Sequence, residues 1–137
     1  MAGYSGTPLW KKLGIKEGSR VLAVDAPKHF RELLEPWPDG AVYLSKPRGE
    51  FDVIVSFHRD LETFEERFRV LIPHLVDRGG LWISWPKKSS KLFVDGLHEN
   101  PLRDIGLSTG LVDNKICAID EDWSGMRFVR RLVNRKS

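Results

Sequence analysis

The chain has 137 residues, of which 41% are hydrophobic and 30% charged, and it contains five tryptophans and one cysteine. This length is typical of one domain with its own hydrophobic core. The single Cys117 excludes an intramolecular disulfide and an all-cysteine metal site. No apolar run is long enough for a membrane span, and the first residues lack the order of a signal peptide. We therefore expect one cytoplasmic domain over residues 1–137, without a membrane partner.

The formal net charge is +3, from 22 basic and 19 acidic residues. Five of the basic residues fall within residues 127–137, which contain no acidic residue. Basic segments bind nucleic-acid phosphates, but here apolar residues are interleaved with the arginines. That pattern is typical of a strand whose charged outward positions protect the edge of a sheet, and it favours an edge strand over nucleic-acid binding.

Apolar runs bounded by glycine and proline predict three strands in the first half of the chain, at residues 20–25, 41–44 and 52–57. The first run is apolar on both faces, as expected of a buried parallel strand. A lead-in segment, residues 1–18, precedes it. A short helix at residues 28–35 separates the first strand from the second.

The second half of the chain continues the alternation of helix and strand. Apolar spacing predicts a helix over residues 61–76, with Asp60 as its cap and Pro73 weakening its last turn. Gly79 and Gly80 follow this helix, and a strand is predicted directly after them at residues 81–85.

The last part of the chain predicts a helix at residues 100–109 and a C-terminal hairpin over residues 111–133. The hairpin strands, 111–119 and 126–133, are joined by a polar turn that begins with three acidic residues. A solvated turn is expected there rather than a cation site, because three consecutive carboxylates do not share one face. The element order predicts an α/β fold, with a mainly parallel twisted sheet covered by helices on both faces and an antiparallel hairpin at its edge.

Residues 13–24 contain the spacing leucine–x–x–lysine–x–glycine–x–arginine–valine–leucine, which resembles the lead-in to the first strand of class I methyltransferase domains. Residues 52–57, the following helix and residues 79–83 resemble that family's later strand–helix–glycine–strand passage, and the closing hairpin is similar to its antiparallel edge. This resemblance implies a Rossmann-like sheet.

A closer resemblance is to a family of small bacterial proteins classed as a domain of unknown function. The shared phrases extend from one end of the chain to the other, at residues 4–9, 12–16, 81–90, 110–115, 123–125 and 128–129. The resemblance implies a reduced, degenerate methyltransferase-like fold and transfers no activity.

A methyltransferase of class I would bind S-adenosylmethionine at a glycine-rich turn after the first strand, where the backbone approaches the ligand closely. The corresponding turn, residues 25–28, has no glycine, and Pro27 has a fixed φ and no N–H. Leu44, at the end of the second strand, is followed by Ser45 instead of the acidic residue that usually holds the ribose. The sequence therefore predicts no cofactor.

Ligands of an open α/β sheet bind beyond the carboxyl ends of the strands, where three loops of this chain are expected to meet. Two of these loops contribute Asp25 and His58 as candidate ligand-binding residues. The third offers cationic and hydroxyl groups that would hold a phosphate or carboxylate by charge-assisted hydrogen bonds. The candidates in that loop are Lys87, Lys88, Ser89, Ser90 and Lys91. A solvated loop without a ligand is the alternative.

Three tryptophans are candidate contact surfaces: Trp10, Trp85 and Trp123. The alternative is that each one covers a junction between a helix and the sheet. Trp82 and Trp85 lie three positions apart on one strand, so we expect them on opposite faces of the sheet.

The four histidines lack metal-ligand spacing and no nucleophile motif occurs, so the sequence predicts neither a metal site nor a catalytic residue. The leading hypothesis is a non-catalytic binding or regulatory module for a small anionic ligand or a protein partner. One alternative is a small S-adenosylmethionine-dependent transferase with a divergent cofactor loop. Another is nucleic-acid binding through the basic C-terminal strand. An exposed strand edge would also allow a homodimer.

Overall fold

The computed structural model of the chain describes residues 6–132. Within these residues the strands are β1 (Arg20–Val24), β2 (Val42–Leu44), β3 (Phe51–Phe57), β4 (Leu75–Pro86), β5 (Leu111–Ala118) and β6 (Trp123–Arg130). The α-helices are α1 (Leu9–Lys12), α2 (Phe30–Leu33), α3 (Phe64–Leu71) and α4 (Glu99–Ser108). No helix in this described part of the chain has both the length and the apolar character needed to cross a membrane.

The strands form one six-stranded sheet in the order β2-β1-β3-β4-β6-β5. Strands β1 to β4 pair in parallel, whereas β6 pairs antiparallel with both β4 and β5. Parallel neighbours must be joined by crossovers, and the helices provide them. The prediction of a mainly parallel α/β sheet with an antiparallel C-terminal hairpin is confirmed.

Helices cover both faces of the sheet, and each face has its own apolar cluster. Phe64 and Phe68 of α3 lie over one face, where Phe68 packs edge-on against Phe128 of β6 with ring centres 5.3 Å apart. The other face holds a second cluster with contributions from α1 and α2. Trp82 belongs to the second cluster and Trp85 to the first, so the prediction that they lie on opposite faces is confirmed.

Helix α3 is shorter than the predicted 61–76. Asp60 accepts hydrogen bonds from the backbone N–H and the hydroxyl of Thr63, both at 2.9 Å, so a turn precedes the helix. At the other end Pro73 cannot continue the hydrogen-bond ladder. The chain forms a 3₁₀ turn at Ile72–His74, and β4 begins at Leu75.

Gly79 and Gly80 lie inside β4 and not before it, which corrects the prediction. A Cβ on Gly79 would lie 2.8 Å from the carbonyl oxygen of Asp52. A Cβ on Gly80 would lie 2.3 Å from Nε of Arg127, whose side chain passes over that position. Gly79 is therefore needed for the close approach of β3, whereas a Cβ on Gly80 would require the flexible Arg127 side chain to move.

The basic C-terminal strand is not at the edge of the sheet, contrary to the prediction. Strand β6 begins at Trp123 and lies between β4 and β5, so β5 and β2 form the two edges. Arg130 on β6 donates hydrogen bonds to the carbonyl oxygens of Ile72 and Leu75, at 2.9 and 2.8 Å. These bonds direct its charge into the protein. The last basic residues, within 133–137, lie outside the described residues.

Candidate functional site

Strands β1 and β3 are neighbouring and parallel, so the turns that follow them lie at the same edge of the sheet. A cleft of about 380 Å³ opens there. Its lining comes from the two strand-end turns and from residues before and within α3: Asp25, Ala26, Phe57, His58, Arg59, Asp60, Thr63 and Arg67. Two residues predicted from the sequence, Asp25 and His58, therefore line one cleft.

The turn after β1 starts with a left-handed residue, Asp25, at φ 56°. This region favours glycine because a Cβ is crowded there, although aspartate and asparagine tolerate it better than most residues. The Asp25 carboxylate accepts a hydrogen bond from the guanidinium of Arg67 on α3. Both side chains are half exposed, so water screens the attraction between their charges. The ion pair nevertheless connects the turn after β1 to α3.

The other end of the same turn is tied to the acidic turn between β5 and β6. His29 Nε2 lies 2.7 Å from Asp120 Oδ2. The second oxygen of Asp120 accepts the N–H groups of Asp122 and Trp123, at 2.8 and 2.9 Å. The expectation of a solvated acidic turn is therefore wrong for Asp120, whose carboxylate makes three contacts within the protein.

His58 is the buried polar group of the cleft, with 3% of its surface exposed. Its Nε2 lies 2.7 Å from the hydroxyl of Ser56, and its ring packs edge-on against Phe64 with centres 4.8 Å apart. Burial lowers the pKa of His58 to about 4, helped by the charge of Arg67 and opposed by the Asp25 and Asp60 carboxylates. The ring is therefore neutral at pH 7. Its Nδ1 has no hydrogen-bond partner among the described residues.

Asp60 and Arg59 complete the charged rim of the cleft. The hydrogen bonds from Thr63 lower the pKa of Asp60, so this carboxylate is ionised at neutral pH. The Arg59 guanidinium lies over the ring of Trp123, 5.1 Å from its centre. With Asp25 and Arg67, the cleft has two acidic and two basic side chains around a neutral imidazole.

The basic loop after β4 does not line this cleft. The hydroxyl of Ser90 donates to the Asp122 carboxylate at 2.8 Å, and the backbone N–H of Lys87 donates to the Asp122 carbonyl oxygen at 2.7 Å. Lys88, Ser89 and Lys91 are exposed. The loop is thus fastened to the acidic turn, and the expectation that it shares one crevice with the other two loops stays a prediction.

The tryptophans also depart from the prediction of exposed contact surfaces. Trp123 is 1% exposed and packs edge-on against Phe57, with ring centres 5.0 Å apart. Trp85 is 7% exposed in the cluster on the opposite face. Trp10 is half-buried against the cluster below α1 and α2. Trp85 and Trp123 therefore belong to the core of the sheet; Trp123 does so because β6 begins three residues earlier than predicted.

Sequence reasoning missed Arg67 and Arg59 as cleft residues. The contact between Arg67 and Asp25 spans 42 positions, and nothing in the local sequence distinguishes this arginine from the other charged residues of α3. A usable signal existed for Thr63. Aspartate three positions before threonine, ahead of an apolar helical pattern, is typical of a turn capped by its own side chain.

Solved structures similar to this chain include three bacterial methyltransferases. A SAM-dependent methyltransferase from Aquifex aeolicus matches with a TM-score of 0.54 and 14% identity, over 88% of this chain and 86% of that one. A protein-(glutamine-N5) methyltransferase specific for release factors, from Alicyclobacillus acidocaldarius, matches with a TM-score of 0.52 and 13% identity, over 90% and 91%. A TehB-like SAM-dependent methyltransferase from Corynebacterium glutamicum matches with a TM-score of 0.50 and 13% identity, over 90% of this chain and 85% of that one. These similarities show a Rossmann-like, class I methyltransferase-like fold.

No protein-family model and no protein of curated function matches the chain. The resemblance to a bacterial family of unknown function therefore stays an expectation.

Proposed function

We propose that the protein is a non-catalytic binding module on a methyltransferase-like fold, and that its strand-end cleft takes a small polar ligand instead of S-adenosylmethionine. The main support for this proposal is the turn after β1, because the backbone of this turn would have to be open to contact with a cofactor. Here the turn is tied to Arg67 at one end and to Asp120 at the other.

The residues of this turn do not fit S-adenosylmethionine. Asp25 adopts the backbone conformation that glycine favours, and its side chain is engaged with Arg67. Pro27 offers no N–H to a ligand. At the end of β2, Leu44 is followed by Ser45 and Lys46, so no carboxylate stands where a ribose would be held.

The charges of the cleft support a small polar ligand over a polyanion. The lining carries two carboxylates, two guanidinium groups and the neutral, buried His58. A phosphate-rich ligand would have to compete with Asp25 for Arg67 and would lie close to the Asp60 carboxylate. The volume of about 380 Å³ is at the small end of ligand pockets.

Thermal unfolding in the presence of S-adenosylmethionine and its demethylated product tests the proposal. We expect no change in Tm at any concentration of either compound. A ligand that binds the native state stabilises it by about 2.7 kcal/mol at 100 times Kd. A saturable rise in Tm would therefore overturn the proposal.

The second candidate is a small S-adenosylmethionine-dependent methyltransferase with a divergent cofactor turn. The similarity to SAM-dependent methyltransferases favours it, as does a cleft at the carboxyl ends of β1 and β3. On this account the saturable rise in Tm would be observed. It would also persist when the exposed Lys88 is replaced by alanine, because that loop does not line the cleft.

A further inference from the structure

The two edges of the sheet differ in how well they are protected against pairing with another strand. Edge β5 has a bulge between Asp113 and Lys115, and both charged residues lie within the strand. Bulges and charged side chains are devices by which sheet edges resist strand addition. Edge β2 consists of Val42, Tyr43 and Leu44, with no charged residue and no bulge in its pairing with β1. Its length of three residues limits strand addition but does not block it.

The outward side of β2 presents backbone groups to water. The backbone N–H of Val42 donates to the carbonyl oxygen of Ser19 at 2.9 Å, so Val42 and Leu44 direct their backbone groups towards β1. Residues of a parallel ladder alternate in this respect, and the N–H and C=O of Tyr43 therefore point away from β1. No strand of the described residues lies on that side. These two groups are the donor and the acceptor that a further strand would use.

The side chains of β2 leave an apolar surface at the same edge. Leu44 packs against the cluster that contains Phe64, and Val42 lies on the same face of the strand, with 43% of its surface exposed. Residues 45–50, all of them described, join β2 to β3 without a helix, and each of them is exposed. Val42 is therefore an apolar side chain that faces water beside an open row of backbone groups.

A second copy of the chain fits this edge, because β2 is complementary to itself in an antiparallel arrangement centred on Tyr43. Around a twofold axis the two Tyr43 residues would exchange both of their outward hydrogen bonds, as paired residues of antiparallel strands do. Val42 of each copy would lie directly across from Leu44 of the other copy, on the same face. Two apolar cross-strand contacts would thus replace exposed surface.

The charges on either side of β2 also favour an antiparallel pair of copies. The exposed Asp39 precedes the strand, whereas the exposed Lys46 and Arg48 follow it. Antiparallel pairing places the acidic end of each copy beside the basic end of the other, so that opposite charges meet twice. A parallel arrangement would bring like charges together at both ends, which is unfavourable.

We propose that the protein forms a homodimer through β2, in which two six-stranded sheets join into one sheet of twelve strands. Each copy contributes a strand of three residues and its flanks, and interfaces below about 1,200 Å² are typical of weak, reversible complexes. The dimer should therefore dissociate on dilution. The strand-end cleft is not lined by β2, so this inference does not depend on the ligand that the cleft takes.

Sedimentation equilibrium of the full-length wild-type protein over a range of concentrations measures the association. The mean mass should rise with concentration from that of one chain towards that of two chains, and no further, because a twofold interface closes on itself. The mass of one chain at a concentration of about 1 mM, which is a very weak affinity for a protein pair, would overturn the proposal. Growth beyond two chains would overturn it as well.

One matched pair of substitutions distinguishes the two edges. Val42→Lys places a charge across from Leu44 of the second copy, and it should raise the Kd of the dimer by about tenfold or more. Ile116→Lys is the control, because Ile116 is a β-branched residue of edge β5 with a similar exposure of 46%. It should leave the Kd unchanged. An equal loss in both variants, or a loss in Ile116→Lys alone, would overturn the assignment to β2.

A charge exchange at the exposed flanks tests the antiparallel arrangement without altering the strand. Asp39→Lys and Lys46→Asp each bring like charges together, so each should raise the Kd by about threefold or more. The double variant places opposite charges together again, and its Kd should return towards that of the wild type. A double variant that associates no more tightly than the two single variants would overturn the arrangement.

Discussion

His58 and the Asp25–Arg67 ion pair line the same cleft but differ in their exposure to water. His58 is 3% exposed, whereas both partners of the ion pair are half exposed. A charge on His58 would lose most of its hydration, so the fold holds it neutral. The ion pair keeps much of its hydration and contributes little free energy. Burial, not the number of charges, therefore decides which polar group of the cleft matters for stability.

Trp123 gives the largest expected effect, because it is the buried aromatic ring beneath Arg59. Trp123→Ala removes a fully buried indole and its edge-on contact with Phe57, and it should lower the free energy of unfolding by about 3–5 kcal/mol. Urea denaturation measures the change. Trp37, which is half-buried, is the matched control, and its replacement by alanine should cost less. A cost below about 1 kcal/mol for Trp123→Ala would contradict the burial described here.

The protonation of His58 has the next largest expected effect on the free energy of unfolding. Its pKa is about 4 in the folded protein against 6.5 for the unperturbed side chain. The unfolded chain therefore binds the proton more tightly, and the contribution of the neutral His58 to the free energy of unfolding is fully present above pH 6.5. It is lost as pH falls from 6.5 to 4, by about 3 kcal/mol in total from this residue.

Chemical denaturation across that pH range, on wild type and on His58→Gln, isolates this contribution. The variant should lack this part of the decline, so the difference between the two stabilities should shrink as the pH falls. If the two curves run parallel from pH 6.5 to 4, the buried neutral imidazole is contradicted.

The exposed ion pair should have the smallest effect. A double-mutant cycle with Asp25→Asn and Arg67→Gln should give a coupling free energy below about 1 kcal/mol, decreasing as salt is added. Asparagine is chosen because it tolerates the left-handed conformation of residue 25 nearly as well as aspartate. A coupling of several kcal/mol that is insensitive to salt would remove the contrast with His58.

Much of the fold could be predicted from the sequence, since its strongest signals are local. Residues 20–24 and 51–57 are mainly apolar runs, and they are the parallel strands β1 and β3. The bounds of α3 were wrong because the side chain of Asp60 forms a turn before the helix and Pro73 ends it early. Gly79 and Gly80 were placed before the strand, because the backbone of β3 that leaves no room for a Cβ on Gly79 is apparent only in the folded sheet.

The candidate site could be predicted only in part. Asp25 and His58 were found because they directly follow strands whose ends must meet. The residues that hold them in place could not be found this way. The contact of Arg67 with Asp25 spans 42 positions, and such a distance leaves no periodic trace in the sequence. The attachment of the basic loop to the acidic turn was missed for the same reason, since Asp122 lies 32 positions from Ser90.

Calorimetric titration of the wild-type protein with S-adenosylmethionine tests the central claim most directly. The account predicts no saturable heat at any concentration, because Asp25 and Pro27 occupy the turn that would hold the cofactor. A saturable, one-to-one binding curve that is lost in Arg67→Gln would contradict it and would establish the cleft as a cofactor site.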